Sequence, residues 1–109
     1  MSSNTIGRLA ETIEARKGAE GDKSYTRQLL MGGAPKCARK LGEEAIETLI
    51  AGIEGDKKAL VGEAADLIYH LLVLLAVRDV RWEEVEAALV GRMGTSGLEE
   101  KAARNRQQD

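Results

Sequence analysis

The sequence predicts an all-α fold, and three observations lead there. Apolar residues recur at helical spacing, as Ile6, Leu9 and Ile13 do. Ser, Asp, Gly and Pro fall where helices would begin and end. No stretch reads as a credible strand, and neither an internal repeat nor a second-domain boundary is visible. The 109 residues suit one domain spanning 1–109.

The elements follow in order. Residues 5–17 form the first predicted helix, and "GAEGDKS" reads as a loop. Ser24 caps a short helix through "YTRQLLM", which Gly32 and Gly33 end. Pro35 suits the first turn of the next helix, which runs to about Glu54. "EGD" is a tight turn, and Asp56 caps a helix to about Asp79. A short helix covers "WEEVEAALVGRM", and the polar tail from Gly94 is expected to be mobile.

Composition narrows the function. Hydrophobic residues make up 43% and charged residues 31%, which fits a soluble globular chain. With no Phe, one Trp and two Tyr, the core must be built from Leu, Ile, Val and Ala. So thin a core favours pairing with a second copy. A net charge of −2 offers no nucleic-acid surface. Cys37 is the single cysteine, which excludes an internal disulfide and suits a reducing compartment. The first twenty residues lack a signal-peptide core, and the apolar run Leu67 to Val77 is too short for a bilayer. A cytoplasmic protein without membrane partners is expected.

The chemistry gathers on the two middle helices. On a helical wheel, Ala38, Leu41, Ala45, Ile46, Thr48, Leu49, Ile50, Gly52 and Ile53 share an arc of roughly 200°. Glu43, Glu44 and Glu47 form a separate stripe with Lys36 and Lys40. An arc this broad implies packing on more than one side. The following helix is apolar almost all round, interrupted mainly by Glu63, Asp66, Tyr69 and His70. Counted outward from the turn, Glu47 and Glu63 lie at nearly equal height in an antiparallel hairpin, as do Glu44 and Asp66. The i, i+3 spacing puts both acids of each helix on one face. Four carboxylates converging on one point would repel unless a cation joined them. Oxygen ligands suit Mg²⁺, or Mn²⁺. Glu43 is a spare acid, placed to accept a proton from an attacking water or to hold a ligand in position.

Blander readings apply to several of these residues. Arg39 with Glu43 and Lys40 with Glu44 are i, i+4 pairs on what could be a solvated face. That account covers Glu43 and Glu44 but not Glu63 and Asp66 inside an apolar helix. His70 is expected to pack or to bond Asp66 rather than to ligate, and Tyr69 to sit in the core or an interface. Cys37 reads as a buried thiol, and Arg27 as solvent-exposed. Lys36 and Lys40 suit two roles equally: steering phosphates, or neutralising the neighbouring acids.

"EEAIE" followed by "EAAD" resembles the E-E-x-x-E and E-x-x-D motifs of the MazG-like all-α nucleotide pyrophosphohydrolases. "SYTRQLL", "KCARKLGEEAIE", "GEAADLIYHLLVLLA" and "GTSGLEEKAAR" bring the resemblance closer to the phosphoribosyl-ATP pyrophosphohydrolase family, along nearly the whole chain. This resemblance implies metal-ligand roles for Glu44, Glu47, Glu63 and Asp66, with Glu43 a further acid of the site and Glu43, Glu44 and Glu47 the catalytic set. It also implies Mg²⁺ dependence, and a hairpin that pairs into a four-helix-bundle-like homodimer. The implied reaction is hydrolysis of phosphoribosyl-ATP to phosphoribosyl-AMP and pyrophosphate, the second step of histidine biosynthesis. The cyclohydrolase sometimes fused to such enzymes is not expected, because one His and one Cys cannot supply its zinc site. Two other functions fit the same acids: a house-cleaning (d)NTP pyrophosphatase, and a non-catalytic helical dimerisation module.

Overall fold

The computed structural model describes residues 4–19, 21, 24–93, 104 and 105. The expectation for the tail from Gly94 lies almost wholly outside these residues. Four α-helices with defined bounds occur among the described residues: α1 Thr5–Ala15, α2 Tyr25–Glu54, α3 Lys57–Val77 and α4 Trp82–Arg92. No strand occurs among the described residues.

Local chemistry accounts for the helix ends. Ser24 Oγ accepts from the Arg27 amide at 3.1 Å and starts α2. Gly33, at φ 81° and ψ 176°, interrupts α2 with a conformation that L side chains rarely adopt. The short helix and its successor are therefore continuous except at this break, and Pro35 falls in the first turn after it, where no amide partner is lost. Gly55, at φ 79°, closes α2, its amide bonding the Ala51 carbonyl at 3.1 Å. Asp56 Oδ1 then accepts from the Ala59 amide at 3.1 Å and opens α3. The first helix ends at Ala15, two residues earlier than the spacing predicts, because Arg16–Gly18 wind into a 3₁₀ turn. Arg27 fixes that turn by donating to the Lys17 carbonyl at 2.6 Å, and it is half-buried rather than solvent-exposed.

The helix ending at Val77 is held from outside. Lys17 Nζ bonds the Ala76 carbonyl at 2.8 Å, Asp79 Oδ1 at 2.7 Å and Glu14 Oε1 at 2.9 Å. A cation at a helix C-terminus opposes the dipole and takes up an orphan carbonyl. The bond from Lys17 holds the Asp79 carboxyl below its ordinary range, and Lys17 is raised in return.

The core sits at one end of the α2–α3 hairpin. Ile13, Leu29, Cys37, Leu72, Val73 and Ala76 are buried together, with Ile6, Leu9, Tyr69 and Trp82 packed against them. The Cys37 thiol bonds the Leu29 carbonyl at 3.2 Å, and burial pushes its pKa up, as suits a structural thiol. The other end of the hairpin is bare. On the apolar arc of α2 only one side meets α3, leaving Ile46 and Leu49 each 60% exposed and Ile53 78%. Val61 on α3 is exposed as well. Counting from Leu67 alone understates α3: within its 21 residues a stretch of 18 has a mean hydropathy of 1.9, long and apolar enough to cross a membrane. That same stretch carries Glu63, Asp66 and His70, and α3 makes its most extensive contacts with α2.

Candidate active site

The two long helices bring acids together at mid-hairpin. Glu44 of α2 and Glu63 and Asp66 of α3 each place one carboxylate oxygen within 4.8 Å of the others'. Thr48 sets this register. Its hydroxyl lies 2.8 Å from the Glu44 carbonyl one turn earlier and 3.1 Å from the Glu63 carbonyl on the facing helix. One proton serves two acceptors, which ties the helices at the height of the acids.

The cluster is rich in acceptors and poor in donors. Glu44 Oε2 and Glu63 Oε1 are buried without a hydrogen-bond partner. Burial first, then the charges of Glu47 and Asp66, push the Glu44 carboxyl above its ordinary range. Burial and the charges of Glu47 and Glu44 raise Glu63 likewise. Buried carboxylate oxygens in this state need a proton or a cation. The donor set is all oxygen, which suits a hard divalent cation.

The remaining predicted residues surround this trio. Glu47 is exposed and outside the 4.8 Å group, yet it exerts the largest charge effect on both Glu44 and Glu63. Glu43 is exposed, with Lys40 Nζ 3.6 Å from its Oε1. Lys36 lays its side chain over Gly32, further from the acids along α2. Lys40 therefore stands beside the site as a neutralising partner of Glu43, and Lys36 is not brought into the cluster by any contact among the described residues.

His70 packs, one of the two roles expected of it, and Asp66 acts on it as a nearby charge. Its Nε2 lies 4.0 Å from Glu44 Oε1, too far for a hydrogen bond. Burial lowers its pKa, so the ring walls the carboxylate as a neutral group. The ring packs edge-on against Tyr69 and Tyr25, with centroids 5.0 and 6.2 Å away. Thr26 and Tyr69 share a hydroxyl hydrogen bond of 2.5 Å, which pins the start of α2 to α3. This aromatic group and Thr48 are the features that motif reading missed. The i+4 step from Glu44 to Thr48 was the available signal. A separate cavity of about 280 Å³ lies between α1 and the α3–α4 junction, lined by residues including Glu11, Leu72, Asp79 and Trp82, and none of the predicted site residues line it.

The family model of phosphoribosyl-ATP pyrophosphohydrolase matches residues 6–92. The chain belongs to that family. The matched span holds all five acids, both lysines and the aromatic group around His70. Among relatives, a phosphoribosyl-ATP pyrophosphatase 1 of Bradyrhizobium diazoefficiens is 60% identical, over 95% of this chain and 98% of its own length. A phosphoribosyl-ATP pyrophosphatase of Nitrobacter hamburgensis is 57% identical over 98% of this chain and 100% of its own. Another, of Cereibacter sphaeroides, is 58% identical over 91% and 96%. Membership of the phosphoribosyl-ATP pyrophosphohydrolase family thus extends along nearly the whole chain, and the acid cluster is part of what it spans.

Proposed function

We propose that this chain hydrolyses 1-(5-phosphoribosyl)-ATP to 1-(5-phosphoribosyl)-AMP and pyrophosphate, the second step of histidine biosynthesis. The observation that carries the proposal is the pair of buried, donor-less oxygens on Glu44 and Glu63, in a chain of this family. Glu44, Glu47, Glu63 and Asp66 would hold Mg²⁺, or Mn²⁺ in its place. The cation, when bound, supplies positive charge to the triphosphate and lowers the pKa of water.

The chain's own residues do the rest. Glu43 has a solvent-facing carboxylate beside the cluster and serves as the proton acceptor for the attacking water. Glu44 and Glu47 complete the catalytic set, holding the reacting groups at the mouth of the hairpin. Lys40, beside Glu43, opposes the charge that gathers on pyrophosphate, and Lys36 stands a turn further from the acids. His70 excludes water from one side of Glu44.

The protein would work as a cytoplasmic homodimer. Ile46, Leu49, Ile50 and Ile53 on α2 and Val61 on α3 are exposed on the same hairpin that carries the acids. A second hairpin laid on it would form a four-helix bundle and supply the missing wall of the α2 arc.

The test is pyrophosphate release from phosphoribosyl-ATP with Mg²⁺ and with EDTA, beside a panel of ATP and dNTPs. Metal-dependent release that favours phosphoribosyl-ATP is the expected result. Release only from the ordinary triphosphates would move the protein to the house-cleaning function. No release from any of them by a folded sample would leave the helical dimerisation module.

A further inference from the structure

We propose that Tyr25 is a specificity-determining residue that recognises the positively charged, N1-substituted adenine ring of the substrate. The inference rests on the phosphoribosyl-ATP reading and deepens it. Of the two tyrosines and one tryptophan in the chain, Tyr25 alone is left half open, at 51% exposure. It is not a loose surface ring. Tyr69 stacks against it at 6.5 Å between centroids with 21° between planes, and His70 meets it edge-on. The Ser24 cap and the Thr26–Tyr69 bond fix the backbone on either side. One ring separates Tyr25 from the acid cluster, since His70 touches Tyr25 on one side and approaches Glu44 on the other.

That separation suits a nucleotide. With the phosphates at the acids, the base lies one ribose further on. The substrate's base differs from that of ATP in a way an aromatic face can read. Substitution at N1 makes adenine a stronger base, because its protonated form is an amidinium delocalised over N1, C6 and N6. The ring is therefore cationic near neutral pH, whereas the adenine of ATP is neutral. An aromatic face attracts a cation beyond ordinary stacking. Tyr25 offers that face, and the acidic surroundings of the site favour the same charge.

The experiment measures competitive inhibition of pyrophosphate release by 1-methyl-AMP and by AMP, in the wild type, Tyr25→Phe and Tyr25→Leu. 1-Methyl-AMP carries the cation without the second ribose phosphate. The wild type is expected to bind it more tightly than AMP by about 3- to 30-fold. Tyr25→Phe keeps most of that ratio, and Tyr25→Leu brings it towards one. Circular dichroism and melting temperature confirm that each variant is folded. Equal losses for both inhibitors in Tyr25→Leu would overturn the proposal, because they mark a merely structural role. A ratio unchanged in Tyr25→Leu, or lost in Tyr25→Phe, would overturn it too. Failure of the wild type to hydrolyse phosphoribosyl-ATP would instead remove the functional reading beneath it.

Discussion

Glu63→Gln tests the central electrostatic claim, because the substitution should help the metal-free fold and harm the metal-bound one. In the structure Glu63 Oε1 is buried without a donor, and Glu44, Glu47 and Asp66 all act on it as like charges. Replacing that carboxylate by an amide removes the repulsion and offers Glu44 a hydrogen-bond donor. The metal-free variant should melt above the metal-free wild type. Mg²⁺ reverses the order. At one hundred times its dissociation constant a ligand stabilises the native state by about 2.7 kcal/mol. For 109 residues, unfolding entropy makes each kcal/mol worth about 4 °C. Mg²⁺ should therefore raise the wild-type melting temperature by roughly 12 °C and the variant's by well under half of that. Scanning calorimetry of both proteins in EDTA and in a Mg²⁺ series measures the two effects. A wild-type melting temperature that Mg²⁺ leaves unmoved, or a metal-free Glu63→Gln that melts below the wild type, would refute the reasoning.

Three further predictions follow from other contacts. Thr48→Val keeps the shape and removes the hydroxyl between the Glu44 and Glu63 carbonyls, so it should cost about 1 kcal/mol, or about 4 °C, and weaken Mg²⁺ binding; calorimetry with and without Mg²⁺ checks both. Glu44 and Glu63 are raised above the ordinary 4.5, so the metal-free folded chain holds more protons than the unfolded one. The stability they allow is greatest below 4.5 and falls as pH rises through the raised values, a slope that urea midpoints should show to be shallower in Glu63→Gln. Lys17→Met removes three bonds, two of them at the end of α3 and one to Glu14 of α1, far from the acids, and should lower the melting temperature by roughly 4 °C with turnover unchanged.

What was legible in the sequence was local or countable. Ser24, Gly55 and Asp56 end their helices through their own side chains or backbone, so their residue types announce them. Equal counts outward from the turn paired Glu47 with Glu63 and Glu44 with Asp66; the structure gathers Glu44, Glu63 and Asp66 and leaves Glu47 outside the 4.8 Å group, because a rise per residue sets height along the helices but not which way a side chain reaches. Tertiary contacts were not legible. The first helix stops at Ala15 and winds into a turn that Arg27 bonds from the next helix, a pairing no spacing encodes. Thr48 looked like one more member of an apolar arc, since its second acceptor lies on α3. The arc itself predicted burial that a single chain does not provide at Ile46, Leu49 and Ile53. Helical periodicity reports that a face is apolar but not what packs on it.

The position of the acids also has a physical logic. The buried core, from Ile13 to Ala76, lies where α1 closes over the far end of the hairpin, and Lys17 secures that end from outside. The mid-hairpin acids are held chiefly by α2 against α3, with one hydroxyl setting their register. Repulsion there acts outside the buried cluster that forms the core. A cluster of carboxylates placed beside Leu72 and Val73 would oppose the packing that keeps the chain folded. Placed near Thr48, it leaves that core intact, with the Glu44 and Glu63 oxygens that lack a donor gathered between the two helices. The same separation explains why substitutions at the acids should change metal affinity and turnover far more than they change the fold.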